Sequence, residues 1–260
     1  MNDLSPIFER MSLEGKVALV TGSGRGLGKA MAIALAEAGA NLVVVSRTGG
    51  EIEETARHIE KMGRKVLAFR ADVTLPAEVD EVVKQTMDLF GRIDILVNNA
   101  GVALVKPLQE MTVEEWRNTL DTNLTSLFLF SKAVGSHMIA RERGKIINIS
   151  SIDGAGGQAE RVAYCASKGG VIQFTKALAV EWAKYNIQVN GIGPGAFYTK
   201  PMAVVLDDGK LGPLRRKKIP QGREGRPDEL GPLVVYLASS ASDFMTGETI
   251  FIDGGELAKL

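Results

Sequence analysis

Tyr164 and Lys168 lie four residues apart in the helical stretch AYCASKGGVIQFTKALAVEWAKY. That spacing stacks the two side chains on one face, one turn apart. A phenol of ordinary pKa ~10 is a poor base near neutrality, and a neighbouring ammonium favours its phenolate. Bringing it to neutrality takes about 4 kcal/mol of differential stabilisation. Ser151 closes the run KIINISS thirteen residues before Tyr164, and Asn123 lies in a helical segment before that run. Residues of these types are suited to moving a proton on or off an oxygen. A tyrosine and a lysine on a helix also occur together on ordinary surfaces. The elements around them decide.

A second group stands near the N-terminus. TGSGRGLGKA, residues 21–30, follows an apolar run and opens a helical one. In that position a dinucleotide pyrophosphate docks on a helix N-terminus. The spacing is T-G-x-x-x-G-x-G, through Thr21, Gly22, Gly26 and Gly28, rather than G-x-G-x-x-G. The next apolar run ends VVVSRT, with Ser46, Arg47 and Thr48 where an acidic residue would grip a ribose 2′-hydroxyl. A carboxylate there repels a 2′-phosphate, whereas a guanidinium clamps one. Arg25 and Arg47 are therefore expected to close on a 2′-phosphate, with Ser23 and Ser46 adding hydroxyl donors. This favours NADP(H) as cofactor and leaves NAD possible.

The elements that must position these groups alternate. KVALV (16–20), NLVVV (41–45), KVLAF (65–69), DILVN (94–98), KIINI (145–149), IQVNGI (187–192) and TIFID (249–253) read as strands. They are apolar almost throughout, as parallel strands covered on both faces should be. Amphipathic segments lie between them, several closed by glycine. The expectation is an α/β protein: one Rossmann-type, doubly wound domain over 1–260, its seven-stranded parallel sheet flanked by helices on both faces. The stretch 194–226 is the least regular, and 196–226 is expected to form a substrate lid. The 260 residues are 45% hydrophobic and 24% charged with zero formal net charge, which argues against a general nucleic-acid binder. No apolar run reaches the ~18 residues of a membrane span, and MNDLSPIFERMSLEGK has no apolar signal core. One cysteine, Cys165, fits a reducing compartment, so a cytoplasmic protein is expected. Two histidines and one cysteine offer little to a transition metal, and none is expected.

Taken together the motifs resemble the short-chain dehydrogenase/reductase family over about residues 13–256. Beyond TGSGRGLG they include NNAG (98–101), Asn123 in DTNLTSLF, Ser150–Ser151, YCASK (164–168) and PGAFYT (194–199). The resemblance implies a catalytic tetrad of Asn123, Ser151, Tyr164 and Lys168. Tyr164 would be the proton donor and acceptor and Ser151 would hold the substrate oxygen. Lys168 would also bond the nicotinamide ribose, and Asn123 would hold a water linking Lys168 to solvent. It further implies that Gly22, Ser23, Arg25, Gly26, Leu27, Gly28, Ser46 and Arg47 bind the phosphates. Asp72 and Val73 would seat adenine, while Asn99, Ala100 and Gly101 would pass the ribose. Pro194, Gly195, Phe197 and Thr199 would hold the nicotinamide carboxamide. A homotetramer assembled through helices near 112–140 and 163–184 is the usual family arrangement.

Cys165 adjoins Tyr164 but has no histidine to activate it, so it reads as a packing residue. His58 reads as solvent-facing and His137 as surface or interface. The run LRRKKIPQGREGR (214–226) reads as a solvated lid edge, with gripping of a substrate carboxylate as the alternative. Gly191 and Gly193 stand where the family more often has alanine, which is expected to loosen the wall behind the nicotinamide. Glu256 replaces an aromatic. The texture of IFERMSLEGKVALVTG, EWAKYNIQVNGIGPG and LASSASDFMTGETIFIDGG is most similar to the bacterial sugar-acid members, gluconate 5-dehydrogenases and deoxygluconate 3-dehydrogenases. The polar DGAGGQAER before Tyr164 suits a polyol acid as small-molecule substrate. The same motifs serve 3-oxoacyl-carrier-protein reductases and broad carbonyl reductases. A nucleotide-sensing regulator is the non-enzyme alternative.

Overall fold

All seven apolar runs become strands, within one or two residues of the expected bounds. The computed structural model describes residues 6–259. The strands are β1 Val17–Thr21, β2 Asn41–Ser46, β3 Val66–Arg70, β4 Ile95–Asn98, β5 Gly144–Ile149, β6 Ile187–Pro194 and β7 Thr249–Ile252. Every neighbouring pair is parallel, in the order β3-β2-β1-β4-β5-β6-β7. The chain builds outward from β1 to β3, then returns to the other side of β1 with β4. That reversal opens a crevice at the carboxyl ends of β1 and β4, where doubly wound sheets bind ligands.

The helices are α1 Ile7–Arg10, α2 Gly26–Glu37, α3 Gly49–Glu60, α4 Pro76–Phe90, α5 Val113–Leu120, α6 Ser126–Ala140, α7 Val162–Trp182, α8 Lys200–Leu206, α9 Leu211–Lys217 and α10 Gly231–Ala238. Successive strand residues point to opposite faces, so each strand feeds two cores. Ala18, Val20, Leu42 and Val44 pack with Met31 and Leu35 of α2, Ile52 and Ile59 of α3 and Val234 of α10. Val17, Leu19, Val43 and Val45 pack with Val79 and Val82 of α4, Phe130 and Val134 of α6 and Trp182 of α7. Two covered faces are why the strands carry no polar alternation. Each such side chain contributes about 1.5–3 kcal/mol by leaving water. The rigid sheet thereby fixes where the loops at its carboxyl edge begin.

The stretch 194–226, expected to be irregular, carries α8 and α9 instead. Two of its prolines lie at helix starts: α8 has proline in its first turn, and α9 opens Leu-Gly-Pro. The basic run is also not simply solvated. Arg215 makes a two-pronged pair with Glu256 at 2.6 and 2.7 Å, and Arg216 another with Glu224 at 2.7 and 3.1 Å. Arg223 pairs with Glu229 at 2.8 and 2.7 Å. Glu256, which departs from the family's aromatic, thus ties α9 to the turn after β7.

Candidate active site

The loop between β1 and α2 is folded so tightly that two of its positions, 22 and 28, have no room for a side chain. A Cβ on Gly28 would stand 2.2 Å from the carbonyl oxygen of Gly22, and one on Gly22 would stand 2.9 Å from the backbone of Ala100. Gly22 and Gly26 hold φ of +65° and +57°, the left-handed region that favours glycine. Thr21 fastens the loop to the NNAG turn: its Oγ1 accepts the N–H groups of Asn99 and Ala100, both at 3.0 Å. The Asn99 amide donates back to the carbonyls of Thr21 at 2.9 Å and Gly22 at 3.1 Å. Arg25 stands at the N-cap of α2 without a side-chain cap. The first N–H groups of that twelve-residue helix therefore lack a protein side chain to receive them. This cradle fits a pyrophosphate.

Beside it, Gly24 packs against Ser46 at the end of β2 and against Glu51 of α3. Arg25 reaches Glu51 at 3.4 Å, and Arg47 reaches Asp72 at 3.8 Å. Both guanidiniums are about 60% exposed, so these long contacts hold them weakly. Asp72 has one oxygen committed to the N–H and hydroxyl of Thr74. Those bonds, together with Arg47, outweigh partial burial and hold its carboxyl below the usual range. Ser23 does not offer the hydroxyl expected of it. It is fully buried, donating to the Val20 carbonyl and accepting from the Val45 N–H, each at 2.9 Å. It knits the loop to β2.

At the carboxyl end of β5, Ser151 starts a one-turn 3-10 helix, its Oγ accepting the Asp153 N–H at 3.1 Å. Its hydroxyl also faces the Tyr164 phenol closely enough to favour the phenolate. Burial pushes Tyr164 above its ordinary value near 10, and Ser151 only partly opposes that. The expected depression by Lys168 is therefore not present in the protein alone. Lys168 is itself buried, which lowers its amine from 10.5 to about 8. Its Nζ donates to the Ile149 carbonyl at 2.7 Å and lies 5.9 Å from the centre of the Tyr164 ring.

Asn123 stands on a π-helical turn, Asp121–Thr125, a distortion often found at functional sites. Its side chain exchanges two hydrogen bonds with the Val102 backbone at 2.7 and 2.9 Å and donates to Ser167 at 2.9 Å. The amide is a brace for the loop after β4. Gly101 leaves room above it: a Cβ there would lie 3.2 Å from Asn123 Oδ1 and 3.5 Å from Lys168 Nζ.

Across the crevice, Pro194 ends β6 and Gly195 abuts Asp253. Phe197 is buried in the core beneath α10, so only its backbone faces the site. Gly191 and Gly193 do not loosen this wall. The volume of their missing methyls is filled from β7, where a Cβ would come within 2.6 Å of Thr249 Oγ1 and 2.4 Å of the Phe251 ring. Within the polar stretch DGAGGQAER, the pairing of Asp153 with Arg161 is what the sequence did not show. The Asp153 carboxylate, 8% exposed, pairs with Arg161 at 3.1 Å beside Ser151 and Tyr164. Nothing in DGAGGQAER distinguishes a buried aspartate from a loop-surface one.

A model of the short chain dehydrogenase family matches residues 16–209. The chain belongs to the short-chain dehydrogenase family. It is 41% identical over 250 residues to a 2-dehydro-3-deoxy-D-gluconate 5-dehydrogenase of Formosa agariphila, covering 95% of each chain. It is 40% identical to a 3-oxoacyl-[acyl-carrier-protein] reductase of Vibrio cholerae, covering 94% of this chain and 98% of that one. Among solved structures, a gluconate 5-dehydrogenase from Burkholderia cenocepacia in complex with NADP and tartrate matches with TM-score 0.92. The two are 39% identical, with 98% of this chain and 100% of that one covered. No helix among the described residues is long and apolar enough to cross a membrane. Nor do the described residues bring three His, Cys, Asp or Glu together for a metal ion.

The buried lysine of this short-chain dehydrogenase carries a stability cost. A fall from 10.5 to about 8 corresponds to about 3 kcal/mol, and its sign is unfavourable. Below pH 8 the amine is charged in both folded and unfolded chains, and the full cost of burying the charge is present. As pH rises from 8 to 10.5 the unfolded chain binds more protons than the folded one, and the cost disappears. Lys168→Met is therefore expected to raise the unfolding free energy at pH 7 by about 1–3 kcal/mol, net of the lost bond to Ile149. The gain should vanish above pH 10.5. Urea unfolding of the ligand-free protein at both pH values checks this; a less stable variant at pH 7 counts against it.

Proposed function

We propose that the protein is an NADP(H)-dependent oxidoreductase that interconverts a secondary alcohol and a ketone on a sugar acid. The observation that carries this is the grouping of Tyr164 with Ser151 and with the buried Lys168, whose Nζ lies 5.9 Å from the Tyr164 ring, at the same sheet edge as the uncapped start of α2. A nicotinamide cofactor supplies or accepts the hydride when bound. Ser151 holds the substrate oxygen and Tyr164 gives it or takes from it a proton. Lys168, turned from the Ile149 carbonyl, holds the ribose and stabilises the phenolate. Asn123 keeps the loop after β4 in place.

The cofactor lies along the edge in the order of the motifs. Gly22, Gly26, Leu27 and Gly28 hold the pyrophosphate. Arg25, Ser46 and Arg47 hold the 2′-phosphate, and Asp72 and Val73 flank the adenine. Asn99, Ala100 and Gly101 line the ribose, and the backbone of Pro194, Gly195, Phe197 and Thr199 meets the carboxamide. The preference for NADP over NAD rests on the arginine pair and on the absence of a carboxylate at the end of β2. The NADP complex of the Burkholderia cenocepacia relative supports it. Residues 196–226, with α8 and α9, form the substrate lid of a single domain. Phe128 on α6 and Val162 and Val180 on α7 are exposed apolar residues, which supports a homotetramer joined through those helices. The protein is assigned to the cytoplasm.

The sugar-acid assignment rests on relatives named for such substrates and on the polar wall from Asp153 to Arg161. The match to a carrier-protein reductase keeps 3-oxoacyl thioesters as a second reading. The purified protein is expected to oxidise NADPH with 5-ketogluconate at least about tenfold more efficiently than with acetoacetyl thioester. That ratio is what one charge-assisted contact to a carboxylate is worth. Preference for the thioester would establish the second reading. NADPH binding without turnover on keto acids, thioesters or simple ketones would indicate a sensor.

A further inference from the structure

Twelve residues lie between Ser151 and Tyr164, and all of them are outside the sheet. Proton transfer needs the two hydroxyls held in register. The segment is pinned at both ends. On the Ser151 side, the Asp153 N–H donates to Ser151 Oγ at 3.1 Å. A Cβ on Gly154 would stand 2.7 Å from the Lys168 backbone, so this turn rests directly on α7. On the other side, Arg161 stands at the N-cap of α7, three residues before Tyr164 and therefore on the same face. Its direction is set by Glu160, whose φ of +62° is costly for a residue with a side chain. The Glu160 carbonyl accepts the Lys106 N–H at 2.7 Å, which keeps that strained backbone in place. Between the two ends runs the Asp153–Arg161 ion pair at 3.1 Å, its carboxylate nearly buried.

We propose that Asp153 and Arg161 are positioning residues for the proton transfer: their ion pair closes the segment from 153 to 161 and fixes Ser151 against Tyr164. The inference rests on Tyr164 being the proton-transfer group. The groups facing Tyr164 are Ser151 at the end of β5, Asp153 on the 3-10 turn, and Arg161, Cys165 and Lys168 on α7. Asp153 raises the phenol and Arg161 lowers it, in the direction the geometry requires. A buried carboxylate stripped of its partner is a strong perturbation, because nothing else compensates it.

The test is a cycle of Arg161→Gln, Asp153→Asn and the double variant, with Arg161→Lys as the conservative replacement. The first readout needs no substrate. Tyrosinate ultraviolet absorbance is titrated in each protein, and the titration of the same protein carrying Tyr164→Phe is subtracted to isolate Tyr164. Arg161→Gln should move the midpoint to higher pH by ~1 unit or more, and Asp153→Asn should move it down. The double variant should return it close to wild type, and Arg161→Lys should leave it in place. The second readout is NADP-dependent gluconate oxidation, which at pH 8 should fall about tenfold or more in Arg161→Gln and recover in the double variant. A pair that merely stabilises the loop would lower unfolding temperatures and leave every midpoint at the wild-type value, and that result overturns the proposal. Should Arg161→Gln not fold, an unmoved midpoint in Asp153→Asn overturns it equally. Full turnover in Tyr164→Phe alone would instead remove the assignment of Tyr164 on which the pair depends.

Discussion

Replacing Tyr164 by phenylalanine is expected to leave NADP binding nearly unchanged and to cut turnover by about 10²–10⁴-fold in both directions. The ring fills the same space, so Lys168 and the loop after β5 keep their places. What is lost is a hydroxyl that faces Ser151 and exchanges a proton with the substrate oxygen. The wild-type pH dependence follows from the two buried groups. Alcohol oxidation needs the phenolate, which burial disfavours by raising Tyr164 above 10. Lys168 loses its own proton as pH climbs through about 8 and does not lower Tyr164 in the protein alone, so the phenolate fraction is governed by pH itself. Oxidation should therefore rise from neutrality toward alkaline pH, whereas ketone reduction, which needs the protonated phenol, should not. The Phe variant should show neither dependence. Steady-state rates from pH 6 to 10 with cofactor affinity measured by fluorescence check this. Turnover within a few-fold of wild type would show that another group moves the proton.

Much of this site was legible in the sequence because backbone geometry constrained it. The turn from β1 to α2 admits only glycine at 22 and 28, so its pattern survives as a motif. Tyr164 and Lys168 share a helix face by spacing alone. The strands were legible because both faces are covered, leaving unbroken apolar runs such as Val17–Val20. What escaped notice depends on long-range packing. Ser23 looked like a phosphate donor beside its glycines, but the register of β1 against β2 turns its hydroxyl onto Val20 and Val45. α8 and α9 are seven residues each, too short to declare themselves by periodicity. α9 is tied in place by ion pairs from Arg215 and Arg216 to distant glutamates. Asp153 carries the same letter whether buried or exposed, and only its partner eight residues on separates the two cases.

Arg47→Asp is expected to reverse the cofactor preference. The corner at the end of β2 has no carboxylate on the strand itself, but the structure places two nearby, Glu51 at 3.4 Å from Arg25 and Asp72 at 3.8 Å from Arg47. In the wild type these acids hold the arginines only loosely, so a 2′-phosphate with its larger charge can take both guanidiniums over. An aspartate at 47 removes one clamp and adds a third acid to the corner. It also supplies an acceptor for the free ribose hydroxyls of NAD. Loss of a charge-assisted bond is worth about 1.5–3 kcal/mol, roughly ten- to hundredfold, and repulsion acts in the same direction. The ratio of kcat/KM for NADP over NAD should therefore fall by at least about a hundredfold. Arg25→Ala should weaken NADP alone, because the pyrophosphate is held by backbone N–H groups of the loop. Glu51→Gln supplies the opposite sign: freeing Arg25 from its competitor should tighten NADP and leave NAD unchanged. A wild type that prefers NAD, or an Arg47→Asp protein whose ratio stays put, would mean that the guanidiniums answer to Glu51, Asp72 and solvent rather than to a phosphate.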